Sequence, residues 1–441
     1  MAAFSLPGWL QRRASAPQAW CRTALATEAS LEACATAISA QLGSAGETAD
    51  LGLVFVSASF ASDLPRLLPL LRQRLQATHW LGCLAGGVIG TAPAQPAREL
   101  EQQPAVSVAL LRLPGARIQP FAIPPQPLPD LDGSADPWRA LVGAAAESSD
   151  HSMLLLIDPS FSGINDLIAG LDYACPAAVK LGGIASPHSA PHGSLLFDQG
   201  VWGGAVGCLI DGAWGLDPVV AQGCRPIGPV FEVEQAQRNV VLQLSLGDQR
   251  NTPVAALQAI LTDLTAEERE LVKHSLFLGV GYNSLGLNPT GGDGSSAFLV
   301  RNLVGVDPRN GAVAVAERMR VGQQVQFQLR DGAASSQELR QLLALQQQQQ
   351  PQPLAALLFA CLGRGAGLYG HADGDVGLCR QQFGDLPIAG AFCNGELGPV
   401  GGTTHLHGYT ASWGFLVPKP TPTATAAPTT AADGQGDAPP L

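Results

Sequence analysis

The chain has 441 residues, of which 46% are hydrophobic and 14% are charged, and its formal net charge is −11. This length predicts more than one domain, and the hydrophobic content predicts a large buried core and excludes disorder for most of the chain. Because the sequence is acidic and has no run of Lys and Arg, it is not typical of a nucleic-acid-binding protein.

The cysteines and the N-terminal segment indicate a compartment. The nine cysteines are scattered and include no C-x-x-C pair, which favours reduced thiols over a disulfide framework or a zinc ribbon. The opening "MAAFSLPGWLQRR" lacks the positively charged segment followed by an apolar segment that is typical of a secretory signal. No apolar stretch reaches the roughly 18 residues of a membrane span. We therefore predict a cytoplasmic protein without a membrane span.

The first elements alternate between helix and strand. The pattern predicts a helix over residues 27–43, which Thr27 caps and Gly43 ends. "LGLVFVSASF" then predicts a buried strand, "DLPRLLPLLRQRLQ" a helix, and "AVSVALLRLPG" a further strand. The glycine-rich segment "HWLGCLAGGVIG" lies between that second helix and that further strand.

The same order returns near the end of the chain, in "LAALLFACLGRG", "GLCRQQF" and "LPIAGAFCNGELG". A partial third copy runs through "MLLLIDP" and "VKLGGIAS", and a more divergent fourth copy through "SLFLGVG" and "AFLVRNLVGVD". We infer an internally repeated strand, connection and glycine-strand unit, produced by duplication of a half-domain. The spacing G-x4-G-x2-G is shared by Gly82, Gly87 and Gly90 and by Gly390, Gly395 and Gly398.

Strands without intervening helices follow each glycine segment. This mixture predicts an α/β or α+β fold of mixed sheets. One arrangement of this kind has two sheets that face each other, with helices on the outside. We place the domain boundary near residue 225, which gives domains over 1–225 and 226–417 and a disordered Pro/Thr/Ala-rich tail over 418–441. In the second domain, Thr265 and Glu268 predict a helix capping box.

The segment "GRGAGLYG" contains G-x-G-x-x-G from Gly365 to Gly370, directly after a predicted strand. A dinucleotide site requires these glycines to open a helix, but "HADGDVG" follows and predicts a loop. We therefore interpret the segment as a glycine loop that presents backbone N–H groups and Arg364. The guanidinium of Arg364 suits a carboxylate or phosphate, and the alternative is an internal ion pair, with Glu396 as the candidate partner.

Thiols and imidazoles near this loop are further candidates. Cys361 precedes the loop, and it is either a reactive thiol or a buried structural cysteine, as is Cys393. His405 and His407 share one face of a predicted strand, where they could hold a metal together with Cys393 or Glu396. A hydrogen-bonding role in a pocket is our expectation, so we predict neither a metal nor a cofactor.

These segments resemble a known family. "LLFACLGRG" and "LPIAGAFCNGELGPVGGTTHLHGYTAS" closely resemble the FIST C-terminal domain, and "LGLVFVSASF", "WLGCLAGGVIG" and "SVALLRLPG" resemble the FIST N-terminal domain. The resemblance spans residues 25–417. The positions that match the C-terminal pattern are Gly363, Arg364, Gly365, Gly390, Asn394, Gly395, Glu396, Gly398, Pro399, His407 and Thr410.

The resemblance implies a ligand-sensing module of signal transduction, with small molecules such as amino acids as ligands. Many members carry kinase, cyclase, chemoreceptor or F-box domains on the same chain. Because this sequence shows no such domain, the resemblance implies that any signal passes to a separate partner protein. The family has no agreed catalytic residues to carry over.

We predict a ligand site built from the glycine loops. Arg364 would bind a carboxylate, Glu396 an ammonium group, and Asn394 would supply a further polar contact. The predicted site is completed by Gly363, Gly365, Cys361, His405 and His407. Two alternatives stay open, namely an enzyme that uses the thiol of Cys361 and a scaffold that docks a protein at its glycine loops.

Overall fold

The computed structural model describes residues 18–43, 47–145, 151–282 and 298–419. The predicted tail covers residues 418–441, and all of it from residue 420 onward lies outside the described residues.

Three units of similar order form most of the structure. Unit 1 contains β1 (Trp20–Ala26), α1 (Leu31–Leu42), β2 (Ala49–Ser57), a 3-10 helix (Ala58–Asp63), α2 (Leu64–Arg72), β3 (Ala77–Ala85), β4 (Gly87–Thr91), β5 (Ala97–Glu101) and β6 (Val106–Arg112). Unit 2 contains β7 (Ala116–Ile123), α3 (Asp136–Val142), β8 (Ser152–Ile157), α4 (Ile164–Ala174), β9 (Val179–Ile184), β10 (Leu195–Phe197), β11 (Gly200–Trp202) and β12 (Ala205–Gly212).

Unit 3 begins with β13 (Trp214–Ala221) and is then interrupted by an inserted segment. The insertion contains β14 (Cys224–Pro226), β15 (Phe231–Gln237), β16 (Val240–Leu246), β17 (Gln249–Asn251), α5 (Pro253–Asp263), α6 (Ala266–Ser275), β18 (Leu276–Gly281), β19 (Phe298–Asp307), β20 (Ala312–Val315) and β21 (Gln324–Arg330). Unit 3 resumes with α7 (Gly332–Gln349), β22 (Ala355–Cys361), α8 (Ala366–Tyr369), α9 (Gly374–Phe383), β23 (Ile388–Cys393), β24 (Glu396–Val400), β25 (Thr403–His407) and β26 (Ala411–Pro418).

The sheets of the three units have the same topology. Their strand orders are β1-β6-β2-β3-β10-β11, β7-β12-β8-β9-β24-β25 and β13-β26-β22-β23-β4-β5. In each sheet the third and fourth strands are parallel, and all other neighbours are antiparallel. The last two strands are always a hairpin from another unit. The units therefore exchange hairpins in a cycle, from unit 2 to unit 1, from unit 3 to unit 2 and from unit 1 to unit 3.

Equivalent glycines mark the repeat at atomic detail. Each lies in the second parallel strand of its sheet, where an added Cβ would meet a carbonyl oxygen of the first parallel strand. The distances from that Cβ would be 2.1, 1.8 and 1.9 Å for Gly82, Gly182 and Gly390. Backbones approach this closely only where a side chain is absent, so the glycines allow the paired strands to pack.

The repeat extends further than a duplication of two halves. The predicted class of mixed sheets flanked by helices is confirmed, and the two segments with G-x4-G-x2-G hold equivalent positions in units 1 and 3. The partial third copy proves to be a complete unit 2. The predicted fourth copy is wrong, because "SLFLGVG" and "AFLVRNLVGVD" form β18 and β19 of the inserted sheet, which are antiparallel.

One apolar core lies between the inner faces of the three sheets. Phe55 of unit 1 and Phe359 of unit 3 meet there edge to face, with ring centroids 5.9 Å apart. Helices cover the outer faces, with α1 and α2 on unit 1, α3 and α4 on unit 2, and α7 and α9 on unit 3. Burial of apolar surface on both faces of these sheets is the main source of stability.

The inserted segment has a core of its own. Strands β21, β15, β16, β20, β19 and β18 pair in that order, and β18 also pairs with β21, so the ring of six antiparallel strands is closed. The predicted capping box of Thr265 and Glu268 is confirmed at the start of α6. The insertion begins and ends next to unit 3, so it is held close to β22 and the glycine loop.

One predicted helix boundary changes. The first helix begins at Leu31 and not near residue 27, because Ser30 has extended backbone angles and its hydroxyl accepts the Ala33 N–H. The glutamine run that follows Leu345 continues α7 as far as Gln349. Within the described residues, none of the helices combines the length and the apolarity needed to cross a membrane.

Strands from both sides of residue 225 share sheets. Hairpin β4–β5 pairs with β23, hairpin β24–β25 pairs with β9, and β13 pairs with β26. The domain boundary near residue 225 stays a prediction.

Candidate functional site

The thiol of Cys361 lies at the end of β22, where the chain turns through the glycine loop. Strand β22 is apolar and buried as far as its last residue, and Cys361 itself is partly exposed. The N–H of Gly363 points back to the Cys361 Sγ at 3.5 Å. A Cβ on Gly363 would lie 2.7 Å from the ring of Tyr409, so only glycine fits this turn without displacing that ring.

Arg364 is fully buried and forms an internal ion pair. Its Nε and Nη2 atoms donate to the two carboxylate oxygens of Asp375 at 2.8 and 2.7 Å, and Nη2 also donates to the Tyr369 hydroxyl at 2.6 Å. Burial disfavours the charged guanidinium, but the Asp375 carboxylate outweighs burial and raises the pKa of Arg364. The suggested pairing of Arg364 with Glu396 is therefore wrong, because Asp375 satisfies the guanidinium fork at closer range.

Glu396 is the first residue of β24 and is also fully buried. Its Oε2 atom accepts the Thr410 N–H at 3.2 Å, and its Oε1 atom is buried with no hydrogen-bond partner. Burial raises the pKa of Glu396 well above its usual range. Burial and the neighbouring Glu396 carboxylate together raise the pKa of the Cys361 thiol to about 11. Burial therefore disfavours the charged forms of both of these neighbouring groups.

The other units provide an internal comparison for Cys361. Ser57 and Asp158 occupy the equivalent position in units 1 and 2, since all three N–H groups donate across to the carbonyl oxygens of Ala105, Gly204 and Thr410. The Ser57 hydroxyl accepts the Ala105 N–H, and Asp158 accepts hydrogen bonds from Ser160 and Ser194. Those two positions are closed by hydrogen bonds, whereas unit 3 has a thiol next to a carboxyl group with an unpartnered oxygen.

Arg330 reaches the same place from the inserted sheet. Its Nη1 donates to the Gly363 carbonyl at 2.8 Å, and its guanidinium lies 4.2 Å from the centre of the Tyr409 ring. Its Nε is buried without a partner, and no carboxylate of the described chain forms an ion pair with it. Burial lowers the pKa of Arg330, and the Cys361 thiol lies near both Arg330 and Glu396. Arg330 is not among the site residues predicted from the sequence, because its only local signal is its place at the end of a strand pattern.

The histidines and Asn394 lie around this group. As predicted, His405 and His407 share a face, and they pair in register with Gly398 and Glu396. His407 Nε2 lies 3.0 Å from the Gly398 carbonyl, its Nδ1 is unpartnered, and burial lowers the pKa of His407 to about 3. Burial also lowers the pKa of His405. Asn394 is exposed, so its side chain does not join the buried group.

The G-x-G-x-x-G segment does open a helix, but a very short one. Gly365, with a φ of 67°, precedes the four-residue α8, where sequence predicted a loop. The Ala366 N–H at the start of α8 already donates to Glu101 Oε1 at 2.8 Å. A carboxylate at this position repels a phosphate, which argues against a dinucleotide site. Within the residues that the structure describes, no cluster of three or more His, Cys, Asp and Glu side chains could hold a metal.

Comparison with known proteins places the chain in a family. The FIST N domain matches residues 50–245 and the FIST C domain matches residues 256–399, so the chain belongs to the FIST family. It is 34% identical to an uncharacterized protein of Mycobacterium tuberculosis over 378 residues, which cover 85% of this chain and 92% of that protein. It is 32% identical to an uncharacterized protein of Mycobacterium bovis over 402 residues, which cover 90% and 97% of the two chains.

Proposed function

We propose that this protein binds a small carboxylate ligand, such as an amino acid, and reports its presence to a separate signalling partner. FIST domains are associated with sensory roles in signal transduction. The observation that carries the proposal is Arg330, a partly buried guanidinium without a carboxylate partner in the described chain. We further propose a cytoplasmic location, in line with the reduced cysteines.

The charged groups of the site favour a ligand that carries both a carboxylate and an amine. A guanidinium presents a planar fork that binds a carboxylate through two hydrogen bonds, and Arg330 keeps part of its fork unused. The Tyr409 ring fixes the plane of that guanidinium through a cation–π contact. The unpartnered Oε1 of Glu396 is an acceptor for an ammonium group. Arg330 therefore takes the carboxylate role that sequence analysis gave to Arg364.

The other predicted site residues fit supporting roles in this proposal. The Gly363 carbonyl accepts a hydrogen bond from Arg330, and the Gly363 N–H donates to Cys361. Arg364, which precedes Gly365, anchors the glycine loop through its ion pair with Asp375. His407 borders Glu396 in the register of β24 and β25, and His405 follows it on the same face. Asn394 remains a candidate contact at the exposed rim.

A thermal-shift screen of amino acids, small carboxylic acids and their neutral amides tests this function. We expect at least one carboxylate to raise the melting temperature, since a ligand at about 100 times its dissociation constant adds about 2.7 kcal/mol to stability. The matching amide should have little effect, because it cannot pair with Arg330. If no carboxylate stabilises the protein, or if amides and carboxylates act alike, the proposal is wrong.

A further inference from the structure

We propose that Cys361 is a nucleophilic thiol that attacks the electrophilic carbon of a small aldehyde acid or 2-oxo acid held by Arg330, with Glu396 as the proton acceptor. This inference rests on the proposed carboxylate site and adds a covalent step that binding alone does not require.

The thiol has the access and the contacts that a nucleophile requires. Cys361 is partly exposed, whereas Cys393, its register partner on the neighbouring strand, is buried. The Gly363 N–H donates to Sγ, and the backbone of Tyr409 also contributes a hydrogen bond that favours the thiolate. Partial exposure is typical of reactive cysteines, whereas buried structural cysteines are inert.

Glu396 supplies the base. It is fully buried, Thr410 donates to its Oε2, its Oε1 has no hydrogen-bond partner, and the Cys361 thiol neighbours this carboxyl group. A buried carboxyl oxygen without a partner costs free energy, and such costs are retained at functional sites more often than elsewhere. The resting thiol is protonated, so a neighbouring base is what would make it reactive.

Comparison with units 1 and 2 indicates that the fold does not require Cys361 and Glu396 for structural reasons. In units 1 and 2 the equivalent polar side chains, Ser57 and Asp158, satisfy backbone and hydroxyl donors. The same backbone framework is therefore stable without a thiol or an unpartnered acid. Only in unit 3 is this position also faced by an arginine from the insertion, Arg330.

The proposed step balances without an oxidant or a leaving group. The S–H proton of Cys361 passes to Glu396 Oε1, and the sulfur electron pair forms a bond to the carbonyl carbon. The carbonyl π electrons move to the oxygen, which then takes the proton from Glu396. The product is a hemithioacetal or hemithioketal, and the reverse path releases the ligand.

Alkylation of the full chain with iodoacetate and iodoacetamide tests the proposal, with each cysteine followed by peptide mass spectrometry. Sulfur displaces iodide in both reagents, but only iodoacetate carries a carboxylate. Cys21 is the matched control because it is also partly exposed and lies in β1, whereas the partly exposed Cys224 pairs in register with Arg330 and is not a control. We expect Cys361 to react at least about tenfold faster than Cys21, and to prefer iodoacetate relative to free cysteine, as one charge-assisted hydrogen bond allows.

Two variants separate the roles. Arg330→Gln should slow the iodoacetate reaction about tenfold more than it slows the iodoacetamide reaction, because only iodoacetate carries the carboxylate that Arg330 would bind. The wild-type rate should rise in two steps with pH, because the acid and thiol titrate as a pair, and Glu396→Gln should leave one step. If Glu396→Gln does not fold, the wild-type profile alone decides, since a single step contradicts the pair.

Failure of this inference can be told apart from failure of the proposed function. If carboxylates stabilise the protein but Cys361 reacts no faster than Cys21, the nucleophile is wrong and the binding site stands. If Cys361 reacts rapidly but Arg330→Gln changes nothing, the carboxylate site is wrong and the ligand class proposed here is overturned.

Discussion

At the scale of single residues, the ion pair of Arg364 and Asp375 separates structure from ligand binding. Both side chains are completely buried, and the guanidinium is bound at both ends of its fork. A ligand cannot compete for these hydrogen bonds without leaving Asp375 as an unpaired buried charge. Arg364 therefore holds the glycine loop in place, whereas Arg330 contacts the same loop at the Gly363 carbonyl.

Arg364→Ala is predicted to destabilise the protein by about 3–5 kcal/mol, because it leaves the buried Asp375 without its partner. Chemical denaturation measures this loss, and Arg320→Ala, at an exposed arginine, is the control. A loss below about 1 kcal/mol, the range of exposed ion pairs, would contradict the closed pair.

Sequence analysis could find some of these residues and not others. Cys361 and Glu396 stand in two separate glycine-rich segments of the sequence, and the structure brings these two residues together. Asp375 lies in "HADGDVG", which predicts a loop, and nothing local links it to Arg364. Arg330 ends "QVQFQLR", where an arginine is typical of a solvated strand end, and only the position of the insertion brings it to Gly363.

At the scale of elements, the exchanged hairpin β4–β5 joins unit 1 to the glycine loop of unit 3. Glu99 of the hairpin accepts the Val376 N–H at the start of α9, and its own N–H donates to Asp373. Its Oε2 is buried without a partner. Burial, and then the charge of Asp375, raise the pKa of Glu99 to about 8. The carboxyl group is therefore protonated in the folded protein at neutral pH.

This carboxyl group makes the hairpin contact sensitive to pH. Its folded pKa lies above the ordinary value of 4.5, so its contribution to stability is complete below pH 4.5 and is lost as the pH rises through about 8. We predict that the free energy of unfolding of the wild type falls by roughly a few kcal/mol relative to Glu99→Gln between pH 5 and 9.

Denaturation at a series of pH values measures this difference. The exposed Glu267→Gln is the control and should follow the wild type at every pH. A Glu99→Gln curve parallel to that of the wild type would show that Glu99 does not titrate in this range.

The elements themselves were largely predictable, but their partners were not. "MLLLI" and "LAALLFA" are near-continuous apolar runs, and β8 and β22 are buried strands as such runs predict. The hydrophobic pattern indicates which faces of a strand are buried, but it does not indicate which other strand pairs with it. The pairing of Ile89 with Gly390 joins residues about 300 positions apart, so no local signal could indicate the exchange of hairpins.

At the scale of the whole molecule, the insertion explains why one unit differs from the others. Three units with the same topology surround one core, and the insertion interrupts only unit 3, between β13 and α7. It brings Arg330 and the cation–π contact with Tyr409 to the end of β22. We infer that the fold supplies three similar strand ends and that the insertion makes one of them a binding site.

The most direct test of this account is a calorimetric titration with the carboxylate that stabilises the protein most in the thermal-shift screen. We predict one site per chain in the wild type and in Arg320→Gln, and at least about tenfold weaker binding in Arg330→Gln, through the loss of one charge-assisted hydrogen bond. Equal affinity for Arg330→Gln and the wild type, with both proteins folded, would contradict the account.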